Sequence, residues 1–413
     1  MTASYPRALA AVYVVLLAPS AAATHGGPQL GRDILQQRLF GTGCLPGPFQ
    51  LGSYPTCVTA DNDDDAPWAP WTYRPYCADN TNYCVFTNAD FQGPDRGVSV
   101  IDARPSSTGN ATSAVTVVAD LLSSMPPAPG LESADEQSPP YEVRHIPGKG
   151  KGLIATRKIP RGQVFMVDYA AIVADTHLPG RVKRAQGHQL LREAIERLPG
   201  AEEVLGLARS SLDPENVPVS EDVMRTNAFS VEIGGRDYMA LFPRIARMNH
   251  ACKPSAITRF NATTLSNTAT AFHDILPNDE ITISYSIFGL PSSARHETLL
   301  SKWGFTCTCA LCSLPASELA ESDERRVRIS RLGKEVIELV EKGGTENLRE
   351  AAGLYAEAVD AVREEGLVPH LGGHYEVLGR LWGASGEVER GREWVRRGRE
   401  ETEGFEGVGG GSH

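Results

Sequence analysis

Four cysteines constrain this chain more than any other residues. Cys307, Cys309 and Cys312 fall within the stretch CTCALC, and Cys252 lies far upstream in RMNHACKPS. Cys307 and Cys309 are too close in sequence to pair easily with each other. Cys-x-Cys-x2-Cys spacing plus a distant fourth thiolate is instead the pattern of a closed, tetrahedral zinc site. Four thiolates leave no open position on the metal, so such a site is structural. It would tie the chain after residue 305 to the segment holding Asn249 and His250. The alternative is two disulfides in an exported protein.

Four more cysteines lie early, at Cys44, Cys57, Cys77 and Cys84, and none separates Cys84 from Cys252. In a short exported module four cysteines read as two disulfides, with three connectivities open. An early zinc site is the rival, but no Cys-x2-Cys pair or histidine pair is present there. Export itself is read from residues 1–23. Arg7 is a positive flank, Ala8 to Ala18 is apolar, and Ala21 to Ala23 offers small residues for cleavage. The expected destination is therefore the secretory pathway or the extracellular space. If the segment is not used as a signal, the destination is the nucleus or cytoplasm. No stretch approaches the ~20 apolar residues that a membrane-spanning helix needs.

The remainder reads as an α+β chain of 413 residues. Residues 24–103 form an aromatic, turn-rich, cysteine-containing module. Residues 104–140, rich in Pro, Ser, Ala and Gly, read as a linker carrying a glycosylation sequon at Asn110; a second sequon falls at Asn261. From Tyr141 short β-rich runs alternate with Gly and Pro. Leu190, Leu191, Ile195 and Leu198 recur at helical spacing. Strands return in TRFNATTLSNTATAFHDILPNDEITISYS, with a hairpin turn expected at Ser266-Asn267. After Leu314 the pattern is helical, with a stripe at Val327, Ile329, Leu332, Val336 and Leu339 and a cap expected at Ser322. Three further helices separated by Gly-containing breaks suggest helical hairpins, ending in a flexible tail. The net charge of −11 gives no basic footprint for nucleic acid and suits a basic peptide or protein partner. The chain has no His-Glu-x-x-His helix, phosphate loop or Gly-x-Ser-x-Gly elbow.

GKGKGLIATRKIPRGQVF, ARMNHACKPS, DEITISYS and WGFTCTCALC, in that order, resemble the SET-domain protein lysine methyltransferases. The likeness is to the branch with a helical insert in the SET domain and a helical C-terminal region. Fungal SET domain-containing protein 5-like chains are similar, and the zinc finger inserted in some relatives has no counterpart here. The resemblance implies a β-rich SET domain over 141–290 with an insert at about 175–225. It further implies a post-SET zinc loop over 291–315, a helical region over 316–405 and a tail over 406–413.

The implied activity is methyl transfer from S-adenosylmethionine to protein lysine, with structural zinc as the second cofactor. The other reading is a SET scaffold of weak or no turnover that serves as a secreted or interaction module. The resemblance places Lys149, Gly150, Lys151, Asn249, His250, Trp303 and Phe305 at the cofactor. It places Asn227 and Phe229 at the lysine channel, and Tyr285 as the catalytic residue. Taken singly, each has a plainer reading: a basic Gly-rich turn, a satisfied polar pair, or aromatic packing in a core. One departure stands out. Ser255 follows Pro254 where the family usually carries Asn, and serine makes fewer hydrogen bonds.

Overall fold

The computed structural model describes residues 68–105, 113–124, 139–211, 213, 215–285, 289–367 and 371–403. The export segment 1–23, Cys44, Cys57, Asn110 and the tail 406–413 lie outside them. Among the described residues no helix is long and apolar enough to cross a membrane.

The described residues form an α+β fold built on three sheets. The largest runs β1 (Tyr76–Cys77), β2 (Tyr83–Asn88), β3 (Val98–Ala103), β7 (Ile172–Asp175), β9 (Arg236–Leu241) and β8 (Phe229–Ile233). The β3–β7 contact is parallel and the others are antiparallel. A second sheet orders β10 (Asn249–His250), β13 (Glu280–Ile283), β5 (Gly150–Ala155) and β4 (Tyr141–Ile146). The third orders β11 (Ala256–Asn261), β12 (Ser266–Ala271) and β6 (Val164–Tyr169).

Period-two alternation lets β2 and β3 serve two cores at once. Cys84, Phe86, Val98 and Val100 join the core shared with the two smaller sheets, which includes Leu153, Phe242, Met248 and Ile283. Tyr83, Val85 and Ile101 face the other way, onto Leu190, Leu191, Ala194 and Ile195. Those last four lie on α3 (Arg184–Glu196), one of four insert helices with α2 (Leu178–Arg181), α4 (Ala201–Leu205) and α5 (Val219–Asn227). The cysteine-containing stretch therefore does not fold on a core of its own, because both of its long strands are buried on both faces. Cys77 and Cys84 face each other on β1 and β2 and form a disulfide.

The expected linker contains a helix, α1 (Ala114–Ser124). Ala114, Val115, Val118 and Ala119 form a buried stripe, and a buried acceptor pair holds the helix start. The Ala114 N–H lies 2.8 Å from the Tyr238 hydroxyl and 3.2 Å from Asp102 Oδ2, and Tyr238 donates to the same carboxylate at 2.9 Å. A carboxylate at a helix N-terminus also complements the helix dipole.

The expected turn at Ser266-Asn267 lies one step earlier. Ser266 and Asn267 begin β12, opposite Asn261 and Phe260. Residues 262–265 make the connection, with Leu265 at φ 52°, and the Asn261 Oδ1 accepts the Thr263 N–H at 2.9 Å.

Beyond α6 (Ser292–Trp303), the C-terminal helices are α7 (Ala316–Lys342), α8 (Thr345–Glu364), α9 (Leu371–Ala384) and α10 (Val388–Glu403). Ser322 is no cap: α7 starts six residues earlier behind Pro315, and Ser322 is fully buried inside it. Val327 is 53% exposed, so the core stripe is Ile329, Leu332, Val336 and Val340.

Helices α9 and α10 pack glycine on glycine. A Cβ at Gly379 would sit 2.6 Å from the Gly391 carbonyl oxygen and 2.7 Å from a Val395 methyl, whereas one at Gly353, in α8, meets nothing within 4 Å. Helix propensity alone favours Ala over Gly by ~1 kcal/mol at either site. Overpacking against backbone costs ~1–3 kcal/mol. Gly379→Ala is thus expected to destabilise the chain in urea unfolding and Gly353→Ala to stabilise it by up to ~1 kcal/mol. Equal effects would contradict the close helix contact.

Candidate active site

The site is built where two chain segments cross. Strand β10 lies parallel to β13, pairing Asn249 with Thr282 and His250 with Ile283. The Ala251 N–H continues the ladder to the Ile283 carbonyl at 3.0 Å. Ser255 fastens the other side: its hydroxyl oxygen accepts the Thr282 N–H at 2.9 Å, and its N–H donates to the Thr282 carbonyl at 3.2 Å. Serine is therefore sufficient at this position. It is buried, and its short side chain reaches the backbone that needs a partner.

The crossing delivers Tyr285 to an aromatic enclosure. Its ring lies 5.2 Å from Trp303, 5.3 Å from His250 and 6.4 Å from Phe305, centroid to centroid. Its hydroxyl donates to the Met248 carbonyl at 3.2 Å. Burial raises the Tyr285 pKa above the usual phenol value, so the hydroxyl stays neutral. Helix α6 supplies Trp303 as its last residue. Gly304 then adopts a left-handed conformation, φ 71°, and reverses the chain so that Phe305 returns to the same enclosure. The indole N–H of Trp303 donates to the Thr226 carbonyl at 3.0 Å, using one of the free carbonyls at the end of α5.

His250 is committed within the protein. Nδ1 accepts the Tyr285 N–H at 3.1 Å, so the neutral ring carries its proton on Nε2, 3.3 Å from Cys252 Sγ. Burial lowers its pKa to about 4. It orients Tyr285 and Cys252 and has no ring nitrogen left for a ligand.

Asn249 is held at the opposite face by Glu280, whose Oε1 accepts its Nδ2–H at 3.0 Å. Lys149 pairs with the other oxygen of Glu280 at 2.6 Å. Gly152 permits this arrangement, because a Cβ there would lie 2.6 Å from Asn249 Nδ2. Gly150, at φ 73°, faces open space. Lys151 and Leu153, on the other face of β5 from Gly152, line a groove of about 650 Å³ whose walls include Phe165, Glu203, Arg244 and Arg247.

The four late cysteines meet behind this enclosure, their sulfurs all within 4.8 Å of one another. Cys252 Sγ stands 3.9 Å from Cys307 Sγ and 3.5 Å from Cys312 Sγ. A disulfide needs ~2.05 Å. A tetrahedron with ~2.3 Å zinc–sulfur bonds has edges of about 3.8 Å. The spacing fits a tetrathiolate metal site. Hydrogen bonding among the thiols divides the set: it pulls Cys309 and Cys312 below the ordinary thiol value, Cys252 first among the causes, and pushes Cys252 above it, Cys307 first among the causes.

Residues 150–286 match the SET domain. The chain carries a SET domain. Over 193 residues it is 28% identical to histone-lysine N-methyltransferase set5 of Schizosaccharomyces pombe, covering 46% of this chain and 56% of that protein. It is 30% identical over 117 residues to N-lysine methyltransferase SMYD2-A of Danio rerio, covering 27% and 26%. It is 31% identical over 103 residues to SMYD2-A of Xenopus laevis, covering 24% of each. The chain thus spans about half the length of set5 and about a quarter of the SMYD2 proteins.

Within the SET domain, Asn227 does not present its amide to an open channel. It is buried, and Nδ2 donates to the Ala208 and Val223 carbonyls at 2.7 and 2.8 Å, fixing the end of α5 beside Thr226. Phe229 packs edge-on to Phe242 at 5.8 Å. Sequence reasoning passed over Glu280, Gly152, Thr226 and Met248. Gly152 alone had a signal, as the third glycine of GKGKG. The others act through a carboxylate or a carbonyl whose partner is distant in sequence.

The full chain is expected to hold about one zinc by metal analysis. Cys309→Ser is expected to lose it and to expose Trp303, seen as a red shift of its fluorescence. Recovery of Cys252 in a disulfide would contradict the metal reading.

Proposed function

We propose that the chain transfers a methyl group from S-adenosylmethionine to the side-chain amine of lysine in a basic protein or peptide. One observation carries the reading: a neutral tyrosine hydroxyl, anchored on the Met248 carbonyl and ringed by Trp303, His250 and Phe305. The names of set5 and the SMYD2 proteins support it. When bound, the cofactor supplies a methyl group on a sulfonium. Asn249, Gly150 and Lys151 are the residues that would hold it. Lys149 is turned toward Glu280 instead.

The rest of the chemistry belongs to the protein. A free lysine has pKa ~10.4 and must lose its proton to act as a nucleophile. Aromatic walls attract the incoming ammonium through their faces, while exclusion of water disfavours the charged form and promotes deprotonation. The Tyr285 proton is committed to Met248, so the oxygen lone pairs are left to accept an amine N–H and fix its direction. That orientation is where the rate gain lies, since well-aligned reactions gain up to ~7–11 kcal/mol.

Tyr285→Phe is expected to keep cofactor affinity, because the ring still packs, and to lower turnover roughly a hundredfold or change the number of methyl groups added. Asn249→Ala is expected to lose cofactor affinity first. Calorimetry with S-adenosylmethionine and radiolabelled methyl transfer to mixed basic proteins read the two effects separately. Wild-type protein that binds the cofactor yet labels no lysine would overturn the enzymatic reading in favour of a scaffold. Absence of binding would leave only the fold.

A further inference from the structure

Two arginines are fully buried next to the thiolate cluster. Arg295, on α6, donates from Nη1 to the Leu290 carbonyl at 2.7 Å and places Nη2 4.0 Å from Cys312 Sγ. Its carboxylate partner, Asp323, is 3.6 Å away, and its Nε–H has no hydrogen-bond partner. Arg326, on α7, donates from Nε to Glu365 at 2.9 Å and from Nη2 to the Cys252 carbonyl at 3.4 Å. Both side chains have 0% exposure. Glu365 is shared further, with Ser322 at 2.5 Å and Arg325 at 2.9 Å.

Such burial needs a reason, because an isolated buried guanidinium is strongly unfavourable. Glu365 offsets Arg326 only in part, because Arg325 shares that carboxylate, and Arg295, among the described residues, has only the Asp323 carboxylate at 3.6 Å; the sulfurs supply the remainder. A divalent ion with four thiolates carries a net charge of −2, and Cys252, Cys307 and Cys309 are almost fully out of solvent. We propose that Arg295 and Arg326 are the counter-charges of the tetrathiolate site, and that through Arg326 the C-terminal helices govern how tightly the metal is held. The inference rests on the metal reading above. It makes the Ser322–Glu365–Arg326 network of α7 and the α8 end part of the metal centre. Within α7, Ser322 donates to the carboxylate that holds Arg326.

Zinc release from the full chain to a chromogenic chelator tests this, with Arg326→Met, Arg326→Lys and Arg328→Gln compared with wild type. Arg328 is the control, paired at the surface with Glu357. Outer partners of metal ligands typically change affinity 10–100-fold. Arg326→Met is expected to release zinc at least ~10-fold faster. Arg326→Lys, which keeps the charge, should stay within ~3-fold of wild type, and Arg328→Gln should match it. If Arg326→Met does not fold, Arg295→Met against Arg295→Lys makes the same comparison. Equal release from wild type and Arg326→Met would overturn the proposal. So would release from Arg326→Lys as fast as from Arg326→Met, which would leave a purely geometric cross-link. Wild type without zinc would remove the metal reading itself, and the proposal with it.

Discussion

The structure depends on the crossing of residues 249–255 with 280–285. Two residues of parallel ladder would be a feeble contact alone. It is made firm from both ends. On one side Ser255 satisfies the Thr282 N–H inside the core, where an unmet donor would cost ~1–3 kcal/mol. On the other side His250 spans from the Tyr285 N–H to the Cys252 sulfur. The ring that positions the tyrosine is therefore the ring that touches the cysteine cluster. The geometry around Tyr285 and the geometry of the cysteine cluster are one arrangement, with His250 at the joint.

The same arrangement explains the use of buried charge. A cluster of thiolates, two arginines and Glu365 in a desolvated interior is costly to assemble, and well-packed apolar residues would stabilise as much or more. Its return is positional. Cys252 ties β10 to the loop after α6, while Arg326 ties α7 to the Cys252 carbonyl. Insert helix α5 adds a third support through the Thr226 carbonyl beneath Trp303. Three elements far apart in sequence thus converge on the walls around Tyr285, each through a polar group that is fully used.

Much of this was legible in the sequence, for a physical reason. The close spacing of Cys307, Cys309 and Cys312 announced their cluster, and the Asn-His and strand-end tyrosine motifs announced the SET domain around it. Features with no local signature were hidden. Helix α1 sits in an Ala-, Ser- and Pro-rich stretch and is held by Asp102 and Tyr238 from other strands. Ser322 looks like a cap because caps and buried hydrogen-bond donors use the same residue type. Ser266-Asn267 looks like a turn, yet the neighbouring Asn261 makes the Asx turn instead. The part His250 plays inside the protein is hidden until its two ring nitrogens are traced to Tyr285 and Cys252. Arg326 gives no sign at all, since its partners are Glu365 and a backbone carbonyl 74 positions away.

Hydrogen–deuterium exchange across residues 248–255 and 280–285, before and after removal of zinc by a chelator, tests most directly whether crossing and cluster are one unit. The amides of Ala251, Thr282 and Tyr285 are predicted to be strongly protected in the zinc-loaded chain and to lose that protection together once the metal is gone, while β2 and β3 stay protected. Unchanged protection at those three amides in metal-free protein would contradict the account, because the crossing would then stand without the thiolates.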